Sequence, residues 1–250
     1  MKFITHNHTA RFKRVLIVAL GLLVAAHSLL AQSQQATLQP INLSYTIKLV
    51  SSKYGNATLG KVETELSRSE TGFQVASATK AQGIAAILMG SNRQEACDFS
   101  IEQGRAVSHT YSGGRKDLED YQVRFDWQNR KIEFDDGASL DMPQGYVVDN
   151  CNLLFATALL GDVEQLSDSL YIVDGNKKRI RGYRMKSSNE ELLETDFGEF
   201  STRKIVFERE LKPERTLTFW LAPDYSYVPL KMVERRNKRT TTFLVDKIEG

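Results

Sequence analysis

The chain has 250 residues, with 33 Lys+Arg, 31 Asp+Glu and four histidines, for a formal net charge of +2. Residues 1–31 hold Lys2, Arg11, Lys13 and Arg14, no acidic residue, and His6, His8 and His27. A chain starting at residue 32 therefore has 29 basic against 31 acidic residues, a charge of about −2, and His109 as its one histidine. That balance removes the electrostatic footprint of a general nucleic-acid binder. It also excludes zinc sites built on several histidines, HExxH helices, and C-x-x-C paired with H-x-x-H.

The first element is a basic stretch, MKFITHNHTARFKR, followed by the apolar run VLIVALGLLVAA. This order is that of a secretory signal peptide, with cleavage after Ser28 or Ala31. The expected organisation is a signal peptide over 1–31 and a single β-rich periplasmic domain over 32–250. The alternative is an uncleaved segment anchored in the inner membrane, because Ser28–Ala31 lengthen the apolar run toward the lower limit of a spanning helix. No cysteine follows the run, so a lipoprotein-type anchor has no support.

After residue 40 the hydrophobic period becomes two. Ile41, Leu43, Tyr45, Ile47 and Leu49 share one face of a strand, and Phe73 and Val75 repeat the pattern. Cys97, Phe99 and Ile101, a Gln103-Gly104 turn, and Val107, His109 and Tyr111 read as a hairpin. Tyr121, Val123, Phe125 and Trp127, a Gln128-Asn129 turn, and Ile132 and Phe134 read as another. Asp135-Asp136 before Gly137 reads as a turn rather than a catalytic pair. Beyond residue 165, SLYIVDG, KKRIRGYRMK, EFSTRKIVFERE, RTLTFWL, KMVERR and TTTFLVDKI supply further strands, with Asp174-Gly175-Asn176 a turn. Two segments break the period. AQGIAAILMG and DNCNLLFATALLG read as short apolar helices, the second N-capped by Asp149 and ended by Gly161. The fold class is therefore mainly β: an antiparallel barrel or a strongly curved sheet with one or two short covering helices.

In TFWLAPDYSYVPLKM, residues 218–232, Pro223 occupies the second turn position and Pro229 opens the next strand, where a missing N–H is tolerated. The aromatic residues here, Trp220, Tyr225 and Tyr227, are candidates for lining a cavity or its rim, with ordinary core packing the competing reading. Cys97 and Cys151 are the only cysteines, and a disulfide between them suits an oxidising compartment. Two buried thiols, or a Cys151 nucleophile assisted by His109, are the alternatives. No G-x-S-x-G elbow, phosphate-binding loop or dinucleotide fingerprint is present, so neither a catalytic set nor a metal or other cofactor is assigned.

Basic residues gather at two hairpins: Lys177, Lys178, Arg179, Arg181, Arg184 and Lys186 in one, Lys231, Arg235, Arg236, Lys238 and Arg239 in the other. On alternating positions such charges form a solvated outer face. If the hairpins adjoin, Lys177, Lys178 and Arg179 would join Arg235, Arg236 and Lys238 in a rim that attracts an anionic envelope surface.

The order DGNKKRIRGYRMK, DFGEFSTRKIVFERE, LTFWLAPDYSYVPLKM resembles the bacterial secreted family termed domain of unknown function 3108. The resemblance implies a periplasmic β protein and carries over no catalytic position. Three functions are compatible with these features. One is a non-enzymatic binding or envelope-accessory module for an apolar or anionic lipid-like ligand. A second is a glycan hydrolase using two carboxylates among Asp120, Asp126 and Glu133. The third is an assembly factor that recognises a protein partner by strand addition.

Overall fold

A computed structural model of the chain describes residues 38–53, 55–82, 92–115, 118–163, 165–196 and 198–250, all within one compact unit, Ala36–Gly250. The signal-peptide segment and most of AQGIAAILMG lie outside the described residues. Fifteen strands follow in chain order. They are β1 (Ile41–Ser51), β2 (Gly55–Ser69), β3 (Gly72–Ala81), β4 (Arg93–Glu102), β5 (Arg105–Arg115), β6 (Leu118–Asp126), β7 (Lys131–Phe134), β8 (Ser139–Asp141) and β9 (Tyr146–Asp149). After the helix α1 (Leu153–Ala158) come β10 (Leu170–Asp174), β11 (Arg179–Thr195), β12 (Gly198–Arg209), β13 (Lys212–Ala222), β14 (Val228–Arg236) and β15 (Arg239–Glu249).

All fifteen belong to one sheet, in the order β8-β7-β6-β5-β4-β3-β2-β1-β15-β14-β13-β12-β11-β10-β9. Each half is a meander, and the halves join where the first strand pairs antiparallel with the last, Ile47 opposite Phe243. Among the described residues, the one parallel pair in this sheet is β9 with β10. The fold class is thus mainly β and strongly curved, and the sheet is open: its ends, β8 and β9, are not paired with each other. The β8 edge is three residues long, while β9 is buried at every position.

Local chemistry explains the turns. Gln103 and Gly104 both take positive φ, 51° and 74°, the geometry of a tight hairpin turn matched to strand twist. Asp126 accepts hydrogen bonds from the backbone and side-chain nitrogens of Asn129, and Asp136 accepts from the Ala138 N–H. Pro223 begins a 3-10 turn over Pro223–Tyr225.

Two expectations need correction. The helix is shorter than its apolar pattern, because Asp149 ends β9 and turns its carboxylate onto the Cys151 and Asn152 N–H groups, so regular helix starts at Leu153. Nor do Val107, His109 and Tyr111 share one face. The register shifts where Asp98 faces Thr110 but Phe99 faces Ser108, a β-bulge at His109 that turns Ala106 and Ser108 inward with Tyr111. The Trp127 indole N–H donates to the Ser108 carbonyl beside this bulge, at 2.7 Å.

The curl brings the end of the second half back against the first. The Ala106 N–H donates to the Tyr146 hydroxyl at 3.0 Å, tying β9 to β5. Lys178 in the β10–β11 turn forms an ion pair with Asp136 in the β7–β8 turn, and Arg105 pairs with Asp168 at 3.0 Å. Helix α1 lies across the concave side, touching β14 and β5. Its residues Phe155, Ala156 and Ala158 are fully buried, which explains its apolar sequence.

Candidate functional site

On the concave face, a row of side chains crosses five strands: Ile47 on β1, Phe243 on β15, Met232 on β14, Phe219 on β13 and Ile205 on β12 are successive cross-strand neighbours. Phe219 and Ile205 are sealed in the core, whereas Ile47, Phe243 and Met232 line a cavity of about 580 Å³. Tyr45, Val62, Leu153 and Leu154 also belong to its apolar part. The Tyr45 hydroxyl is not free to contribute, since it donates to the Pro229 carbonyl at 2.8 Å, and burial raises its pKa.

Moving along the strands in steps of two residues, the lining changes from Phe243 and Met232 to Thr241 and Glu234, then to Arg239 and Arg236. Four residues of strand separate Phe243 from Arg239, a rise of about 13 Å. Arg179 and Arg181 on β11, Lys177 and Arg93 also line the cavity, against the acidic Glu95, Asp174 and Glu234. Arg179 is held by Asp174 and Arg236 by Glu234. Arg181 is 7 % exposed and donates to the side-chain Oδ1 of Asn150 at 2.6 Å, with Glu234 a distant 3.9 Å away. Its Nε has no hydrogen-bond partner among the described residues.

Another part of the wall is formed by Arg93, Glu95 and Tyr121, with Tyr111 behind them. Tyr111 donates to Glu95 at 2.5 Å, the Tyr111 and Tyr121 hydroxyls lie 2.7 Å apart, and Arg93 reaches both Glu95 and Tyr121. Burial and then the Glu95 charge push the Tyr121 phenol up to about 12 and Tyr111 further in the same direction. Both stay neutral at physiological pH, so they act as hydrogen-bonding supports for the Arg93–Glu95 pair.

Beneath the cavity, Cys97 and Cys151 form a disulfide with a Cα–Cα distance of 6.1 Å, joining β4 to the start of α1. Beside it, the fully buried Asp149 accepts from Ser108 Oγ at 2.7 Å and from the Cys151 and Asn152 N–H groups, while Asn152 Nδ2 donates to Ser108. Burial nevertheless outweighs these donors and raises the Asp149 carboxyl to about 6. Ligand atoms of Cys97, Asp149 and Cys151 lie within 4.8 Å of one another. With the sulfurs bonded to each other, the group offers no thiolate to a metal.

The residues singled out from the sequence are distributed unevenly. Lys177, Arg179 and Arg236 line the cavity together with Arg181 and Arg239. Lys178 is taken by Asp136, and Arg235 lies on the other face of β14, opposite Thr216 and Thr240. Lys238 is exposed in the β14–β15 turn. The three aromatics lie outside this cavity. Trp220 is on the outer face, sandwiched between Lys204 and Lys231 with its indole N–H on Glu191 at 2.8 Å. Tyr225 packs edge-on against Phe200, and the Tyr227 hydroxyl donates to Asp162. His109 meets Ser100 at 3.0 Å outside the cavity, so Cys151 has neither a free thiol nor this histidine beside it. Asp126 is engaged by Asn129, Glu133 by Arg124 and Asp120 is exposed; none of the three lines this cavity.

Arg93, Glu95 and Tyr121 had no motif to announce them. Their signal was parity: Cys97 and Phe99 face inward, and counting back by two places Glu95 and Arg93 on the same face. Likewise Arg179 and Arg181 are in phase with the buried Tyr183, not with an outer face.

Comparison with known proteins agrees with this architecture. A family model described as "Protein of unknown function (DUF3108)" matches residues 44–241. No curated protein matches the chain. Among solved structures, a β-barrel-like protein of domain of unknown function DUF1849 from Brucella abortus is similar, with a TM-score of 0.55 at 9% identity, covering 85% of this chain and 98% of that one. At that identity the likeness concerns the fold alone.

Proposed function

This chain belongs to the DUF3108 family, proteins of unknown function, and from its cavity we propose that it is a non-enzymatic periplasmic binding module for a lipid-like ligand. The carrying observation is the cavity of about 580 Å³ whose apolar wall is Ile47, Val62, Leu154, Met232 and Phe243 and whose other end is basic. That volume is typical of small-molecule sites, which combine an apolar lining with a few placed polar groups. Val62, Leu154, Met232 and Phe243 are only partly buried, so apolar surface remains for an alkyl chain to cover. Export through a cleaved signal peptide is part of the same proposal. A disulfide between the only two cysteines suits an oxidising compartment and supports it.

The test is native mass spectrometry of the protein recovered from cells, followed by solvent extraction and identification of what co-purifies. An alkyl-chain compound is expected, and it should be lost from Met232→Trp, which fills the cavity. A ligand-free protein that also fails to bind dodecanol in titration would sink the reading.

A further inference from the structure

The basic end of the cavity, with Lys177, Arg179, Arg181, Arg236 and Arg239 against Asp174 and Glu234, carries a net positive charge. Arg181 is the centre of it: nine-tenths buried, facing the cavity, with a single short hydrogen bond to Asn150 and an unpartnered Nε. A guanidinium has five donors, and leaving one buried and unmade is costly unless a ligand takes it. Outside the cavity lining, Arg215 on β13 also has a buried Nε with no hydrogen-bond partner among the described residues, 3.8 Å from the Glu214 carboxylate. On the facing strands, Arg236 stands opposite Arg239, and Arg239 makes no ion pair among the described residues. The Arg209 guanidinium is depressed below its ordinary range by burial and by the charges of Arg215, Arg181 and Arg179. Arg209, Arg215, Arg181 and Arg179 therefore share one field, which reaches the cavity at Arg181 and Arg179.

We propose that the ligand's head group is a phosphate bearing two negative charges, held by Arg181 with Arg236 and Arg239. This rests on the reading of the cavity as a lipid-like ligand site and adds the polarity of the ligand within it. The alkyl chain lies toward Ile47 and Phe243, and the phosphate lies about 13 Å along the strands at Arg239. Arginine suits this role because its planar fork meets phosphate oxygens two at a time. Asn150 fixes the orientation of the Arg181 fork, and Glu234 limits the site to anions that can out-compete it.

Calorimetric titration of the full chain with four probes separates the possibilities: dodecyl phosphate, dodecanoate, dodecanol and inorganic pyrophosphate. Dodecyl phosphate should bind about tenfold or more tightly than dodecanoate, the scale of one added charge-assisted contact. Arg181→Gln and Arg239→Gln should each shrink that ratio and leave dodecanol binding unchanged. Arg239 is exposed, so its variant folds even if Arg181→Gln does not. Equal binding of the two anionic amphiphiles, unaltered by either variant, overturns the phosphate assignment while dodecanol binding keeps the cavity reading alive. Pyrophosphate binding that depends on Arg181, with no amphiphile bound, supports the phosphate site and overturns the lipid-like cavity. Binding of none of the four overturns both.

Discussion

Gly175 lies against the ring of Tyr121 so closely that a Cβ there would stand 2.5 Å from Tyr121 Cε2 and 3.0 Å from Tyr111 Cε1. This contact seats the β10–β11 turn, from the second half of the sheet, on the tyrosine pair of the first. The open sheet acquires its barrel-like curl at this point without strand pairing. Gly175→Ala should push the turn away and destabilise the fold by about 1–3 kcal/mol, the usual range for overpacking. Urea denaturation followed by circular dichroism measures it. An unchanged midpoint would mean that the turn moves freely on the tyrosines.

The Cys97–Cys151 bridge ties β4 to the start of α1. Replacing both cysteines by alanine should cost about 2–5 kcal/mol, by freeing a long loop in the unfolded chain. Because Cys151 lines the cavity, loss of the bridge should also weaken ligand binding. A variant with wild-type stability would leave the bridge without a structural role.

Asp149 predicts a distinct pH dependence. Its folded pKa, raised by burial to about 6, exceeds the unfolded carboxylate value near about 3.9. The folded state therefore binds this proton more tightly. The resulting stability is fully present below about pH 4 and is lost as pH rises through about 6. Asp149→Asn keeps an acceptor for the Cys151 and Asn152 N–H groups and removes the titration. The stability of wild type relative to this variant should fall between pH 4 and pH 6 and be flat above. A difference that rises with pH over that window would show that the carboxylate is stabilised as the anion.

Trp220 tests the division between outer face and cavity. Its ring sits between Lys204 and Lys231, and its N–H is on Glu191. Trp220→Phe retains a ring but loses the hydrogen bond and weakens the cation–π contacts, so stability should drop by about 1 kcal/mol. Dodecanol affinity should not change. A changed affinity would bring the outer face into communication with the cavity.

The alternation of Leu43, Tyr45, Ile47 and Leu49 and the turn at Gln103-Gly104 were legible in the sequence, whereas the pairing of Cys97 with Cys151 was one of several readings there. Period, turn chemistry and composition act between near neighbours, and they suffice for a curved antiparallel β fold. The bulge at His109 was not legible, because an inserted residue leaves no mark on composition and shifts the inward set by one. Nor was the cavity. Arg93, Arg181 and Arg239 lie on β4, β11 and β15, and their meeting depends on the pairing of the first strand with the last and on the curl sealed by Gly175 and Tyr121. A charge on a strand can lie on either face, so its side is decided by the apolar residues in phase with it. Whether that side is solvent or a ligand cavity is decided by sheet curvature, to which residues far apart in the chain contribute together.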